Sequence, residues 1–241
     1  MKYAFIPNKD FEVFRRKKPQ IINLNSYSHL FHNNCMIITI INYGIGNLTS
    51  VKNMLKKAGA EDVRISDNPE DIAAADKFIL PGVGHFDYGM KKLHESGLIP
   101  LLEKRVINDK IPILGICLGA QLMTKRSDEG ADAGLGWVDA ETVKFDSTRM
   151  PENYKIPHMG WNYVTLQKKV ALFDLLPEAS RFYFVHSYHL KMNKSADEWL
   201  SANYGYDFCA AYQKENIFAC QFHPEKSHKF GMQLLKIFVT L

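Results

Sequence analysis

Three short stretches carry side chains that can do chemistry. The first is "ILGICLGAQLM" (113–123), where Cys117 stands between Gly115 and Gly119 in a G-x-C-x-G frame. An apolar strand-like run meets a helical pattern at Cys117 with no loop residues between them. That is the arrangement of a nucleophile elbow, in which a sharp strand-to-helix turn presents one side chain and small neighbours let the backbone bend. A helix beginning just after the cysteine directs its positive end at the sulfur and favours the thiolate. The N–H of Leu118 is then free to donate to an oxyanion. By itself the stretch also reads as a small core cysteine between packed elements.

A thiolate nucleophile needs a base, and the base needs an orienting group. "ACQFHPEKS" (219–227) supplies both behind an apolar strand. His223 and Glu225 are two residues apart, so on extended backbone they point the same way. Pro224 between them removes a donor and limits bending. The third stretch is "LPGVGHF" (80–86), where a proline and two glycines end a buried strand. Its backbone N–H groups can approach a ligand closely, as the second half of an oxyanion hole; alone it would be a tight turn.

The elements around these stretches alternate. "MIITIINYGIGN" (36–47) reads as a buried strand entering a turn. Leu48, Val51, Met54, Leu55 and Ala58 predict a helix over 47–58, stopped by Gly59. A short strand follows at 62–65. Asn68-Pro69-Glu70-Asp71 is a helix start, with a capping Asn and acids near the positive end. Strands at 77–84 and 111–116 enclose a helical segment, 88–108, interrupted at Gly97 and Pro100, and 118–126 reads as a helix. Further strands are predicted at 135–145, 161–166, 182–190, 198–204, 208–213 and 216–222, with a last helix at 228–239. The fold class is α/β: one domain with a mostly parallel central sheet, flanking helices and an added antiparallel section.

Composition narrows the function. The chain has 241 residues, 46% hydrophobic and 23% charged, which is ordinary for a soluble globular protein. No apolar run approaches a membrane span and none opens the chain as a signal peptide. Cys35, Cys117, Cys209 and Cys220 are scattered without a C-x-x-C pair, which fits a reducing cytoplasm better than a disulfide framework or a zinc site. The net charge of +4 lies in residues 1–35, which hold six basic and two acidic side chains; 36–241 hold 24 of each. A neutral body gives no electrostatic reason to expect nucleic acid. Residues 1–35 are expected to be an N-terminal extension, loosely ordered or a start-site artefact, with a basic docking arm as the alternative; the domain is expected at 36–241. "GIG" (44–46) is not a dinucleotide fingerprint, because Thr49 takes the third glycine position. His186 and His189, three apart on one predicted strand, face opposite sides and make a poor metal pair.

"LPGVGHF", "GICLGAQ" and "FHPEKS", in this order over 36–241, resemble the class I (triad) glutamine amidotransferases. "NYGIGN", "RSDEG", "PHMGWN", "FYFVHSYH" and "QFHPEKS" are similar to the glutaminase subunits of imidazole glycerol phosphate synthases. The resemblance implies that Cys117 attacks the amide of L-glutamine, that His223 passes a proton to the leaving ammonia, and that Glu225 orients His223. It implies an oxyanion hole at Val83, Gly84 and Leu118, and substrate contacts at Gln121, Glu129, His186, Ser187 and Tyr188. It implies no metal and no organic cofactor. It further implies a heterodimer with a (β/α)8 cyclase that receives the ammonia, with Trp161, Tyr183 and Lys226 at the interface and gate. A core role for Trp161 is the alternative. "EKSHKFGMQLLKIF" and "GLGWVDAETVKF" resemble a branch that feeds a synthetase amidating a surface-polysaccharide sugar. A catalytically silent binding module of the same fold is the reading from another class, and the intact cysteine, histidine and glutamate argue against it.

Overall fold

The computed structural model describes residues 35–168 and 176–241. The expectation for 1–35 lies, apart from Cys35, outside the described residues. Cys35–Leu241 forms one compact unit.

Five parallel strands make its centre: β1 (Ile37–Ile41), β2 (Asp62–Ser66), β3 (Lys77–Gly82), β4 (Ile113–Cys117) and β12 (Ile217–Cys220), in the order β2-β1-β3-β4-β12. β3, β4 and β12 are buried at every position, as apolar runs without alternation demand. Their side chains go alternately to two apolar layers. Ile38, Ile79, Leu114 and Ile116 meet Val51 and Leu55 of α1 (Leu48–Lys57) and Leu234, Leu235 and Phe238 of α6 (His228–Thr240). Phe78, Leu80 and Ile113 meet Ile72 of α2 (Pro69–Ala74), Met90 and Leu93 of α3 (Phe86–Glu95) and Leu102 of α4 (Ile99–Glu103). Helices therefore cover both faces, as expected.

The antiparallel section continues the sheet from β12 through β11 (Asp207–Lys214), β10 (Glu198–Asn203) and β7 (Thr165–Leu166); β9 (Tyr188–Met192) pairs with β11 and with β5 (Ala140–Lys144). A separate two-stranded ribbon joins β6 (His158–Tyr163) to β8 (Arg181–His186). No helix among the described residues is long and apolar enough to cross a membrane.

Four expectations need correction. The strand predicted at 161–166 divides between β6 in the ribbon and β7 in the main sheet. The helix after Cys117, α5, covers only Leu118–Leu122. Carbonyls at and just past its end are taken from outside: Leu122 accepts from the N–H of Leu135, and Thr124, two residues on, from that of Gly136. The predicted strand 182–190 breaks at Ser187 into β8 and β9, so His186 and His189 belong to different strands with different partners. The segment 88–108 becomes α3, α4 and a π turn over 104–108, divided where Gly97 takes φ +68°.

Candidate active site

Cys117 ends β4 with φ +53° and ψ −111°, a conformation L-residues adopt rarely. Close packing of α5 imposes it. A Cβ on Gly119 would collide with the backbone carbonyl of Leu80 on β3. A Cβ on Gly115 would meet the Met123 side chain and, at 2.9 Å, the backbone of Ala120. Both glycines of G-x-C-x-G are therefore required by space. At five residues α5 is little more than one turn, so support for a thiolate comes from its first amides rather than from a long helix dipole.

The sheet register assembles the rest. Gly82 on β3 lies opposite Cys117, and Cys220 on β12 lies opposite Ile116. Val83-Gly84 therefore leaves the sheet on one side of Cys117 and Gln221-Phe222-His223 on the other. This is the carboxyl end of parallel strands, where α/β sheets bind ligands. His223 Nδ1 meets Glu225 Oε1 at 2.8 Å. The pairing was expected but its backbone was not: residues 224–226 form a 3-10 turn, and only His223 is extended. The buried Ser227 clamps that turn. Its hydroxyl donates to His223 O (2.6 Å) and accepts from the Tyr183 N–H (3.0 Å), while the His223 N–H donates to Tyr183 O.

With Nδ1 held by Glu225, the buried His223 Nε2 is left for the Cys117 sulfur. Burial disfavours charge on His223, but the adjacent Cys117 sulfur and the Glu225 carboxylate outweigh it and push its pKa up to about 10. The sign follows from linkage. The pair's contribution to stability is complete below the ordinary imidazole pKa and is lost as the pH rises through about 10.

A cavity of about 190 Å³ opens over Cys117, smaller than a drug-sized pocket and suited to one amino acid. Val83, Gly84, Leu118, Gln121, Glu129, His186, Ser187, Tyr188, His223 and Lys226 all line it. Gln121 spends its amide nitrogen on Tyr188 O (3.2 Å) and Gln221 Oε1 (3.0 Å), so its oxygen is the atom left for a ligand. Glu129 Oε2 accepts from the Phe86 N–H at the start of α3 (2.9 Å). Asp87 secures the Glu129 loop by accepting from the N–H groups of Ala131 and Asp132, and a Cβ on Gly130 would strike the Asp87 carboxylate. Burial drives the His186 pKa well below the usual imidazole range, so it sits in the wall as a neutral ring. Asp87, Gln221 and Ser227 escaped the sequence reading because their roles are contacts between distant segments.

Trp161 and Tyr183 lie opposite one another on the β6–β8 ribbon and, unlike Lys226, do not line the cavity. Met159, Trp161 and Tyr163 alternate along β6 and are 61%, 42% and 58% exposed, so Trp161 is not a core aromatic. It stacks on His228 at 5.5 Å between ring centres. Lys226 Nζ lies 5.9 Å from the Tyr183 ring centre.

The model of the glutamine amidotransferase class-I family matches residues 39–240. The chain belongs to this family. Curated relatives extend along the same length. The class-I amidotransferase chain is 50% identical over 205 residues to the imidazole glycerol phosphate synthase subunit HisH 2 of Pseudomonas aeruginosa, covering 85% of this chain and all of that one. It is 47% identical over 208 residues to subunit HisH 1 of Campylobacter jejuni, covering 85% and 100%. Among solved structures, the glutaminase domain of Trypanosoma brucei CTPS shares the amidotransferase fold with a TM-score of 0.59 at 14% identity, over 84% of this chain and 92% of that one.

Proposed function

We propose that this chain is the glutaminase subunit of an imidazole glycerol phosphate synthase. It would hydrolyse L-glutamine to glutamate and ammonia and pass the ammonia to a (β/α)8 cyclase partner in histidine synthesis. The observation that carries the reading is the convergence of Val83-Gly84, Cys117 and the His223–Glu225 pair on one amino-acid-sized cavity. Half-identity along the whole length of relatives named as that subunit supports the choice of pathway over a surface-sugar acceptor.

The chemistry uses the chain's own groups. The Cys117 thiolate attacks the carboxamide carbon, and the oxyanion that forms accepts from the N–H groups of Leu118 and the Val83-Gly84 segment. The His223 imidazolium gives its Nε2 proton to the departing nitrogen, so ammonia leaves and a glutamyl thioester remains. Neutral His223 then takes a proton from water, whose oxygen attacks the thioester. Glutamate leaves, and the thiolate–imidazolium pair is restored. Glu225 holds His223 in the tautomer and orientation both steps require. Glu129 would hold the α-ammonium of glutamine, with Gln121 Oε1 and the 186–188 segment around the rest.

The domain is assigned to 36–241, supported by a family match that begins at residue 39; 1–35 would be an extension outside it. A cytoplasmic location accords with the biosynthetic reading and with cysteines left free. The direct test is rescue: the gene, expressed with its partner, restores growth of a histidine auxotroph lacking this subunit. Failure to rescue, with glutamine hydrolysis intact, would redirect the ammonia to another acceptor.

The exposed row Met159, Trp161 and Tyr163 supports docking of the cyclase over the cavity mouth. Trp161→Ala is expected to weaken partner binding about tenfold or more while circular dichroism shows an intact fold. Titration calorimetry giving unchanged affinity would remove Trp161 from the interface.

A further inference from the structure

Gln221 is fully buried and has no part in the triad chemistry. Its backbone N–H is taken by Ala210 O, so the side-chain amide alone needs an explanation. Its Oε1 accepts from Gln121 Nε2 at 3.0 Å, and its Nε2 stands 3.8 Å from Cys117 Sγ, within reach of a sulfur acceptor.

The direction of that amide is forced. Gln121 meets the carbonyl of Tyr188 as well as Gln221. A carbonyl only accepts, so Gln121 presents nitrogen to both, and the Gln221 atom it meets is oxygen. The Gln221 nitrogen therefore falls on the sulfur side. Tyr188 O is itself fixed by His186 Nδ1 (2.8 Å). His186 Nε2 then accepts from His158 Nδ1 (3.0 Å), and His158 Nε2 accepts from the Asn162 amide, which also donates to Asn203 O. Backbone carbonyls that can only accept set every donor in this chain.

We propose that Gln221 is a positioning residue for Cys117, holding the sulfur with its side-chain N–H and favouring the thiolate next to His223. A neutral amide suits the task. It supports an anion without supplying a proton or competing with His223 for the carboxylate of Glu225. Register explains why this residue fills the role: Gln221 follows Cys220 as Cys117 follows Ile116 on the neighbouring strand. The titratable groups around the sulfur are His223 and, behind it, Glu225, with Cys220 on β12 and Tyr43 after β1. Glu129, His186, Tyr188 and Lys226 stand in the same cavity wall. The proposal rests on Cys117 as the nucleophile.

The test uses the full chain with its partner and three side chains at 221: the native Gln, Gln221→Met and Gln221→Glu. Met keeps the shape and removes the donor; Glu places an oxygen against the sulfur. Two readouts are taken: kcat and KM for glutamine, and the pH dependence of Cys117 alkylation by iodoacetamide, followed on the Cys117 peptide by mass spectrometry because Cys35 is partly exposed. In Gln221→Met, kcat is expected to fall about tenfold or more with KM within about twofold. The alkylation midpoint is expected to rise by about one pH unit, and further in Gln221→Glu. An alkylation profile unmoved in both variants overturns the proposal, even with kcat lowered, because it reduces Gln221 to packing. If Gln221→Met does not fold, Gln221→Glu carries the same comparison. Alkylation reports the sulfur whatever the substrate. Loss of the nucleophile reading would appear instead as a Cys117→Ala variant that still hydrolyses glutamine.

Discussion

Cys117→Ala is expected to lower glutamine hydrolysis by about 10⁴-fold or more while leaving the fold intact. The proposed oxyanion donors and the cavity survive the change, but the sulfur that would form the thioester is gone. The fold should survive, since alanine faces the same φ of +53° as cysteine, but the part of the stability that the sulfur lends through the raised His223 pKa is lost. The change also removes one of the two groups that hold the His223 pKa near 10. In the variant His223 titrates at lower pH, with Glu225 as its remaining support. Glutamate release measured at saturating glutamine, with the partner present, reads the first effect, and the His223 ring signal in NMR titration reads the second. Hydrolysis within tenfold of the native rate would exclude Cys117 as nucleophile.

Gly119→Ala is expected to destabilise the domain by about 3 kcal/mol or more. The added Cβ meets the Leu80 carbonyl, backbone of a fully buried central strand. Neither atom can turn aside, so α5 must lift away from β3 and carry Cys117 with it. Gly84→Ala makes the contrast. Gly84 has φ +101° with no atom within 4 Å of a would-be Cβ, so the cost there is backbone strain alone, about 1–3 kcal/mol. Urea unfolding of both variants separates steric from conformational cost. Equal midpoints would show that α5 moves freely.

The parallel half of the fold was legible because its strands are short apolar runs punctuated by glycine and proline, and two of its helices carry signals of their own, Gly59 after α1 and Asn68 before α2. Asn68 caps α2 as its sequence suggests. The candidate site was legible because Gly82, Cys117 and His223 stand at or just beyond the carboxyl ends of three neighbouring strands, each behind an apolar run. What escaped depends on partners far along the chain. "RFYFVHSYHLKM" is one unbroken β-favouring run, and only the choice of β6 for its first half and β5 and β11 for its second splits it at Ser187. Leu122 ends α5 because the loop at 135–136 claims the carbonyls that would continue it. Gln221 shows no periodicity or motif of its own; its meaning comes from standing one residue beyond the last pair of β4 and β12.

The β6–β8 ribbon pairs with no other strand among the described residues. Along β6 the two sides have separate duties. His158 and Asn162 look inward to the imidazole chain, while Met159, Trp161 and Tyr163 look outward. If the outward side is the partner surface proposed above, mutation at odd-numbered positions would change what the molecule recognises without disturbing the even-numbered ones that carry the inward contacts. A gene duplicate can acquire a new recipient for its nitrogen through a handful of outward substitutions, with the catalytic strands inherited whole.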